Sequence, residues 1–325
     1  MNFLKNKIFL LALIFTSIYI STSLIYRGET IEFGDNISPF EFDETLGWAH
    51  KKHFSGTFTS KNFSVSIKTN NEGFRDSNFS DLGKKTRRRI VVLGDSMAWG
   101  WGVQIQDRFS DTIEDRLDDL AFLNLAVPGY GTDQSFLQLT TSRILDTNPD
   151  LVMLVFHPND LSNNAHEEQY SYNKPFFTLK NNELKLENIP VPKSSLLQKV
   201  SRSIQKHFPG SRLSQFLLKF RHKQSRNFEL SFHLIEAIRK KVESSSADFL
   251  LVILPMNIND QSRIVDFAKN KNISHLDLQA THFKPRDSYY FKNDDHWNIK
   301  GHQMAARLIE DYLSREIFPS KQEKY

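Results

Sequence analysis

The feature that most constrains the fold is an alternation, from Ile90 onward, of short apolar runs with stretches of helical periodicity. Five apolar runs predict buried strands, at residues 90–93, 122–127, 151–156, 249–254 and 273–278. Apolar residues recur at helical spacing at residues 107–120, 133–145, 229–242, 261–269 and 300–313. Repeated βα units of this kind predict a mostly parallel sheet with helices on both faces. The sequence therefore predicts an α/β fold with three layers.

The composition narrows the classes of function. With 325 residues, the chain is long enough for one large domain or two modest ones. It has no cysteine, which excludes disulfides, thiolate catalysis and cysteine-ligated metals, but does not exclude an oxidising compartment. The net charge is +4, and residues 1–26 hold two of the 42 basic residues and none of the 38 acidic ones. The remainder is close to neutral, so nothing indicates a nucleic-acid partner.

An uncharged, mostly apolar stretch covers residues 8–26 and follows Lys5 and Lys7. At about 1.5 Å per residue, it is just long enough to cross a hydrocarbon core of roughly 30 Å. The basic flank predicts that the amino terminus stays in the cytoplasm and that the rest is exported. We therefore predict a signal anchor (transmembrane helix) over residues 1–26, which places the protein on the periplasmic side of the inner membrane. Small residues at 21–23 leave a cleaved signal peptide open, and the protein is then secreted.

Three segments fall outside the regular alternation. Residues 27–88 contain short alternating runs, such as Phe63–Ile67, and predict a β-rich accessory segment. The main domain is predicted over residues 89–317, with an insertion at 161–228. Residues 318–325 form a tail.

The insertion has a composition of its own. Apolar runs on either side of Asn181 and Asn182 predict a hairpin, and two stretches of helical spacing follow it, the second at 213–220. From residue 188 to residue 228 there are nine basic residues and no acidic one. Such a surface suits anionic lipid or polysaccharide, but it also fits a pair of solvated helix faces. Because the insertion follows the third strand, it can overhang the carboxyl edge of the sheet as a lid.

Three loops at the carboxyl edge of the predicted sheet carry candidate chemistry. Ser96 follows the first strand and Gly94, at the edge where ligands of open α/β sheets bind. Gly129 follows the second strand, where a glycine lets a backbone N–H approach a ligand. Asn159 follows the third strand, where its side-chain amide can donate a hydrogen bond.

A fourth stretch supplies a base. His296 stands just before the last predicted helix, and Asp295 and Asp294 precede it by one and two residues. An imidazole with a nearby carboxylate offers both a proton acceptor and a group that orients it. Together with Ser96, these side chains are the types that nucleophilic catalysis requires.

These blocks resemble those of the SGNH hydrolases of the GDSL esterase and lipase group. The matching residues are Gly94-Asp95-Ser96, Asn124 with Gly129, Asn159-Asp160, and His296-Trp297-Asn298 with Gly301-His302. Residues 70–76 resemble the lead-in of exported, membrane-anchored bacterial members. The resemblance implies a flavodoxin-like three-layer SGNH fold with a five-stranded sheet, and it implies neither a cofactor nor a metal.

The same resemblance implies acyl transfer through a Ser-His-Asp triad. In it, Ser96 attacks an ester, His296 takes the proton and Asp294 holds the imidazole. The family's acid commonly sits three residues before the histidine, where this chain has Asn293. Asp294 matches a variant seen in membrane-associated polysaccharide acetyltransferase relatives, and Asp295 is the alternative acid.

The resemblance also implies an oxyanion hole made of the backbone N–H groups of Ser96 and Gly129 and the Asn159 side chain. We expect an extracytoplasmic serine esterase or O-acyltransferase that acts on acyl esters, acetyl esters first, of cell-envelope glycans. Two alternatives stay open. One is a lipid esterase or lysophospholipase, indicated by the basic insertion. The other is a non-catalytic glycan-binding module, indicated by the displaced acid.

Other residues near these motifs have plainer interpretations. Asp95 is expected to bond neighbouring loops rather than to catalyse. Trp99 and Trp101 either line an acyl or sugar site or pack in the core. His50 and His53 have a spacing that metal sites use, but nothing near them completes a ligand set, so we interpret them as surface residues.

Overall fold

The structure, a computed structural model, describes residues 32–33, 38–82, 87–207 and 227–319. Three predicted features lie outside the described residues: the anchor at 1–26, the helical stretch at 213–220, and the tail from residue 320. Among the residues that are described, no helix combines the length and the apolar character that crossing a bilayer requires.

Strands and helices alternate through most of the described chain. The strands are β1 (Glu32–Phe33), β2 (Phe40–Asp43), β3 (Gly47–His50), β4 (Ser55–Thr59), β5 (Ser64–Lys68), β6 (Arg88–Leu93), β7 (Leu120–Asn124), β8 (Leu151–Phe156), β9 (Glu168–Gln169), β10 (Tyr172–Asn173), β11 (Phe176–Lys180), β12 (Glu183–Glu187), β13 (Asp248–Ile253) and β14 (His275–Asp277). The helices are α1 (Ser96–Trp99), α2 (Phe109–Arg116), α3 (Thr132–Thr141), α4 (Asp160–Asn163), α5 (Leu196–His207), α6 (Phe228–Glu243), α7 (Ile258–Asn270), α8 (Arg286–Tyr289) and α9 (Ile299–Tyr312).

Five of these strands form one sheet in the order β14-β13-β8-β6-β7. Every pairing within it is parallel. Numbered along the chain and read from β7, the order is 2-1-3-4-5, which is the flavodoxin-like arrangement. The predicted α/β class and five-stranded parallel sheet are therefore confirmed.

The sheet is buried on both faces because its strands are apolar throughout. Along β6, Ile90 and Val92 pack into one hydrophobic cluster with α2 and α9. Val91 and Leu93 point the other way, into a second cluster with α3, α6 and α7. The alternation of side chains along a strand thus produces the helix–sheet–helix layering.

Several boundaries differ from those predicted, and two of them share a physical cause. The second core strand was expected over 122–127, but β7 ends at Asn124, whose Oδ1 accepts a hydrogen bond from Ala126 N and turns the chain. The helix expected over 107–120 is limited to α2, because Leu117 adopts an extended backbone that leads into β7. In both cases a local backbone turn, which hydrophobic spacing does not encode, ends the element.

The accessory segment packs against the main domain at two places. In β5, Val65 and Ile67 alternate with exposed residues, and together with Phe58 they join the first core cluster. The β2–β3 hairpin brings Trp48 against Tyr130, in the loop after β7.

The described part of the insertion is folded onto α3 and α6. It contains the predicted hairpin, as β11 paired with β12, and the first predicted helix, α5. A buried ion pair between Lys174 and Asp133 joins the insertion to the first turn of α3. This pair is fully buried, so it anchors the insertion beside the loop that precedes α3.

The strand order reverses between β6 and β8, which are neighbours in the sheet. Loops that leave two such strands separate to opposite faces and open a crevice at the carboxyl edge. Ser96 follows β6 and Asn159 follows β8, so the fold places both residues at this crevice.

Candidate active site

Ser96 stands on a tight turn between β6 and α1. At Gly94, φ is +155°, and a Cβ atom there would lie 3.1 Å from the carbonyl oxygen of Val155. Asp95 caps α1, since its Oδ1 accepts a hydrogen bond of 2.9 Å from Met97 N. The turn therefore holds Ser96 at the crevice in a fixed position, with 7% of its surface exposed.

The imidazole of His296 meets this serine from the opposite end of the sequence. Ser96 Oγ and His296 Nε2 are 2.7 Å apart. The indole of Trp101 stacks on the imidazole, with ring centroids 5.1 Å apart and planes 24° from parallel. The distance allows the hydroxyl to donate its proton to the ring, and the stacking restricts how the ring can turn.

Asp294 lies behind the imidazole. Its Oδ1 is 2.6 Å from His296 Nδ1 and also accepts from His296 N at 2.9 Å. Partial burial opposes ionisation of Asp294, but the hydrogen bond and positive charge of His296 outweigh it and lower the pKa of this carboxyl. Asp295, the alternative acid, instead points outward with a 92% exposed side chain and pairs with Arg286.

A compact hairpin explains why the acid precedes the histidine by two residues. Phe291 N donates to His296 O at 3.0 Å, which closes a loop over the intervening residues. Asn293 turns this loop with φ of 57°, a left-handed conformation that asparagine tolerates better than most residues. Asn298 then caps α9 by accepting from Gly301 N at 3.1 Å. The tight turn therefore occupies the position where the family's acid commonly sits.

The loop after β7 is tied to the turn that carries Ser96. Val127 N donates to Gly94 O at 3.1 Å, and Trp48 Nε1 donates to Pro128 O at 3.2 Å. Gly129 has φ of +83°, which lets its backbone adopt the left-handed region without strain. Trp48 thus holds the segment that carries Gly129 through the neighbouring residue, Pro128.

Asn159 approaches from the loop after β8. Its Nδ2 donates to Asp95 Oδ2 at 3.0 Å, and His157 Nδ1 lies 3.3 Å from the same oxygen. The expectation that Asp95 bonds neighbouring loops is confirmed. A primary amide has two N–H groups, so this bond orients Asn159 and leaves one donor.

A hydroxyl, an imidazole and a carboxylate thus stand in line at the carboxyl edge of a flavodoxin-like sheet. The sequence model of the family described as GDSL-like Lipase/Acylhydrolase matches residues 92–304, more than half of the chain. The chain belongs to the GDSL-like lipase/acylhydrolase family. It is therefore an ester-hydrolysing enzyme, and the expected family is confirmed. No curated protein sequence matches it.

Several solved structures are similar to this esterase. TesA is 11% identical, with a TM-score of 0.43, and the match covers 70% of this chain and 99% of that one. The psychrotrophic esterase EstA from Pseudoalteromonas sp. is 12% identical, with a TM-score of 0.43 and coverage of 71% and 98%. A carbohydrate esterase family 3 protein from Talaromyces cellulolyticus is 12% identical, with a TM-score of 0.39 and coverage of 71% and 98%. The family assignment rests on the sequence match alone.

The lead-in of the esterase supports the turn that carries Ser96 through a buried arginine. Arg75 donates to the carbonyl oxygens of Gly100 at 2.8 Å and Val103 at 2.7 Å, just past the end of α1. Burial and the neighbouring Arg108 lower the pKa of Arg75 to about 9, so the guanidinium stays charged at neutral pH. The resemblance of residues 70–76 to the family lead-in indicated the segment, but not this contact.

Asp76, the next residue, holds β7 in place. Its Oδ2 accepts from Asn124 N at 2.7 Å, and Asn124 Nδ2 in turn donates to Ala98 O at 2.9 Å. Burial raises the pKa of Asp76 to about 7, although Arg108, 3.8 Å away, opposes that shift. Asn124 therefore positions the strand and α1 and does not face the crevice.

The two tryptophans that follow Ser96 lie in different environments. Trp99 is buried in the core, whereas Trp101 lies at the site against the imidazole. His50 stacks on Trp99, with centroids 5.8 Å apart and planes 10° from parallel. The prediction of a surface position is wrong for His50, because β3 turns the ring inward, and burial lowers its pKa to about 3. His53 is exposed, as expected.

A cavity of about 370 Å³ opens beside the site on the histidine side. Its lining is mostly apolar and carries charges of both signs, and it includes Met97, Leu254, Phe283, Lys284, Arg286 and Asp295. The size falls within the range of small-molecule sites.

Arg286 connects this cavity to the acid. Its guanidinium donates to Asp294 O at 3.1 Å, pairs with the Asp295 carboxylate and lies 4.5 Å over the Tyr290 ring. The arginine therefore restrains the loop that carries Asp294. No motif or periodicity indicated this contact, because it depends on how α8 packs.

Proposed function

We propose that Ser96, His296 and Asp294 form a catalytic triad that hydrolyses esters through an acyl-enzyme. The observation that carries the proposal is the 2.7 Å distance from Ser96 Oγ to His296 Nε2, with Asp294 Oδ1 2.6 Å from Nδ1. As Oγ bonds to the ester carbonyl carbon, its proton passes to His296. When the intermediate collapses, His296 returns that proton to the departing alcohol, while Asp294 stabilises the imidazolium.

Three donors would stabilise the oxyanion in this reaction. They are the backbone N–H groups of Ser96 and Gly129 and the side-chain amide of Asn159, which Asp95 orients at 3.0 Å. A fixed donor of this kind typically lowers the barrier by about 3 kcal/mol. Because the charge develops mainly in the transition state, these donors act on kcat more than on KM.

The position of His296 fixes how the ester lies. The leaving oxygen must be within reach of His296, so the alcohol occupies the histidine side. The cavity of about 370 Å³ lies on that side, with Arg286 and Lys284 in its lining. We assign the alcohol part of the substrate to this cavity.

We further propose that the substrate is an acyl ester, an acetyl ester first, of a cell-envelope glycan, and that the enzyme faces the periplasm. The apolar stretch at 8–26 after Lys5 and Lys7 supports export and anchoring at the inner membrane. The acid two residues before His296 supports a glycan substrate, through its resemblance to polysaccharide acetyltransferases. The acyl group leaves Ser96 for water in a hydrolase or for a sugar hydroxyl in a transferase, and both share the same first step.

Release of acetate from an O-acetylated cell-wall glycan tests this proposal. The wild type should release acetate, Ser96→Ala should not, and product glycans should show by mass spectrometry whether acetyl groups are lost or moved. A fusion of alkaline phosphatase after residue 317 should be active only if the domain is exported. Hydrolysis of simple esters without action on any acetylated glycan would reject the glycan substrate and keep the esterase.

A lipid ester is the second candidate, and one observation favours it. Leu196 and Leu197 on α5 are each 77% exposed, and Val200 is 48% exposed, in a segment without acidic residues. An exposed apolar face with basic neighbours is typical of helices that lie on anionic lipid. If the candidate is right, binding to vesicles with phosphatidylglycerol falls at high salt and is lost in Leu197→Asp; equal binding by the variant rejects it.

The non-catalytic alternative lacks support. It was indicated by an acid that lies two residues, and not the usual three, before the histidine. Asp294 nevertheless contacts His296 directly. Membership of an ester-hydrolysing family also favours catalysis.

A further inference from the structure

The loop that carries Gly129 is covered by aromatic rings from outside the core fold. A Cβ atom built on Gly129 would lie 2.7 Å from Tyr170 Cε2, 3.2 Å from Tyr170 Cδ2 and 3.3 Å from Trp48 Cζ2. Trp48 comes from the accessory segment and Tyr170 from the insertion. The ring edge of Tyr170 rests on Gly129, while about half of the residue's surface, 51%, stays exposed.

Tyr170 is presented by a strained turn. It and Ser171 link β9 to β10 as a two-residue hairpin turn, with φ of 51° and 62°. Turns with two left-handed residues favour asparagine and glycine, and a bulky side chain in that region is unusual. Uncommon backbone conformations of this kind concentrate at functional sites. The turn therefore indicates that the position of the ring matters.

The turn is also held firmly. Arg202 donates to Ser171 O and to Ser194 Oγ, and its guanidinium lies 4.0 Å over the Tyr172 ring. Lys174, just after β10, is bound by the buried Asp133 carboxylate. The contacts of Arg202 and Lys174 therefore hold the Tyr170 ring against the loop of Gly129.

Tyr170 also interacts electrostatically with Asp95. Burial and the negative charge of Asp95 both raise the pKa of Tyr170. Asp95 immediately precedes Ser96 and bonds the Asn159 amide, so Tyr170 lies within electrostatic range of the nucleophile turn. The phenol is neutral at physiological pH and adds no charge there.

The reaction constrains the direction of the acyl chain. The alcohol lies on the side of His296 and the carbonyl oxygen faces the three donors, so the acyl chain leaves the carbonyl carbon in a third direction. We propose that this direction runs past the loop of Gly129 and that Tyr170 closes it, which restricts the enzyme to short acyl groups such as acetyl. The inference rests on the proposed function at Ser96, and it makes the insertion a specificity element.

Chain-length preference tests the inference. We compare kcat/KM for p-nitrophenyl acetate and p-nitrophenyl octanoate in the wild type and in Tyr170→Asn, since asparagine suits a left-handed turn. The wild type should prefer acetate by about 100-fold, and Tyr170→Asn should reduce that ratio by about tenfold or more, mainly by faster octanoate hydrolysis. Tyr170→Phe, which keeps the ring, should keep the ratio.

Ile258→Ala is the control, because Ile258 is an exposed apolar side chain on α7 and belongs neither to the insertion nor to the accessory segment. Its ratio should equal that of the wild type. If Tyr170→Asn does not unfold cooperatively on heating, Tyr170→Gly is used in its place. Glycine also removes the ring, and it adopts the left-handed turn without strain.

An unchanged ratio in a folded Tyr170→Asn, or equal hydrolysis of both esters by the wild type, would overturn the inference alone. Absence of hydrolysis of either ester by the wild type, or hydrolysis that survives Ser96→Ala, would overturn the proposed function together with it.

Discussion

The two sides of Ser96 are built in different ways. On the histidine side, one short segment supplies His296, Asp294 and the cap of α9, and Arg286 restrains it locally. On the side of Gly129, the proposed oxyanion side, Gly129 is held by Trp48 and covered by Tyr170, which come from two separate additions to the core. The difference suggests that local structure fixes the proton-transfer groups, whereas the additions shape what the enzyme accepts.

The largest effect is expected on the histidine side. Asp294→Asn should lower kcat by about 10⁴-fold, because the amide neither stabilises the imidazolium nor fixes the tautomer. Asp295→Asn is the matched control one residue away, and it should cost less than about tenfold because Asp295 faces solvent. Steady-state hydrolysis of p-nitrophenyl acetate measures both, and equal losses would contradict the assignment of the acid.

Much of this side could be predicted from the sequence. The spacing of apolar runs gives the sheet, and the order of the motif blocks indicates that Ser96 and His296 converge, as their 2.7 Å contact shows. The covering of Gly129 could not be predicted, because Trp48 and Tyr170 act through a hairpin fold and a left-handed turn that no periodicity encodes. The inward position of His50 was missed for a related reason, since β3 is only four residues long and its burial does not alternate.

Stability should depend most on the anchor of the insertion. Lys174→Met leaves the Asp133 carboxylate buried without a partner, so the free energy of unfolding should fall by about 3–5 kcal/mol. Urea denaturation measures this loss. The double variant Lys174→Met/Asp133→Leu should recover most of it, and no recovery would mean that the loss came from packing and not from the stranded charge.

The oxyanion side should respond mainly in kcat. Asn159→Ala should lower kcat by about 10²–10³-fold and change KM by less than about threefold, because its amide acts on charge that develops in the transition state. Steady-state kinetics separate the two constants. A large rise in KM at nearly constant kcat would show that Asn159 binds substrate and does not serve as an oxyanion donor.

The smallest expected effect is on the pH dependence of stability, and it concerns one buried histidine on each side of Ser96. Burial lowers the pKa of His50 and of His302 to about 3. Each imidazole stays neutral in the folded protein. In the unfolded chain, the same imidazole binds a proton below the usual histidine pKa of about 6.5. The stability contribution is therefore present above pH 6.5 and is lost as pH falls toward 3, by about 2 kcal/mol per histidine between pH 7 and pH 5.

Replacement by leucine should remove this dependence. Between pH 7 and pH 5, the unfolding free energy of the wild type should fall by about 2 kcal/mol more than that of either His50→Leu or His302→Leu. Urea denaturation at both pH values measures it. A difference that stays constant with pH would mean that the histidine is protonated in the folded state.

The central claim is that Ser96 is the nucleophile that His296 activates. A fluorophosphonate probe, followed by peptide mass spectrometry, tests it most directly, since phosphonylation requires an activated serine and no natural substrate. The account predicts one labelled peptide, modified at Ser96, with labelling lost in Ser96→Ala and strongly slowed in His296→Ala. Label on another residue, or no label on folded wild-type protein, would contradict it.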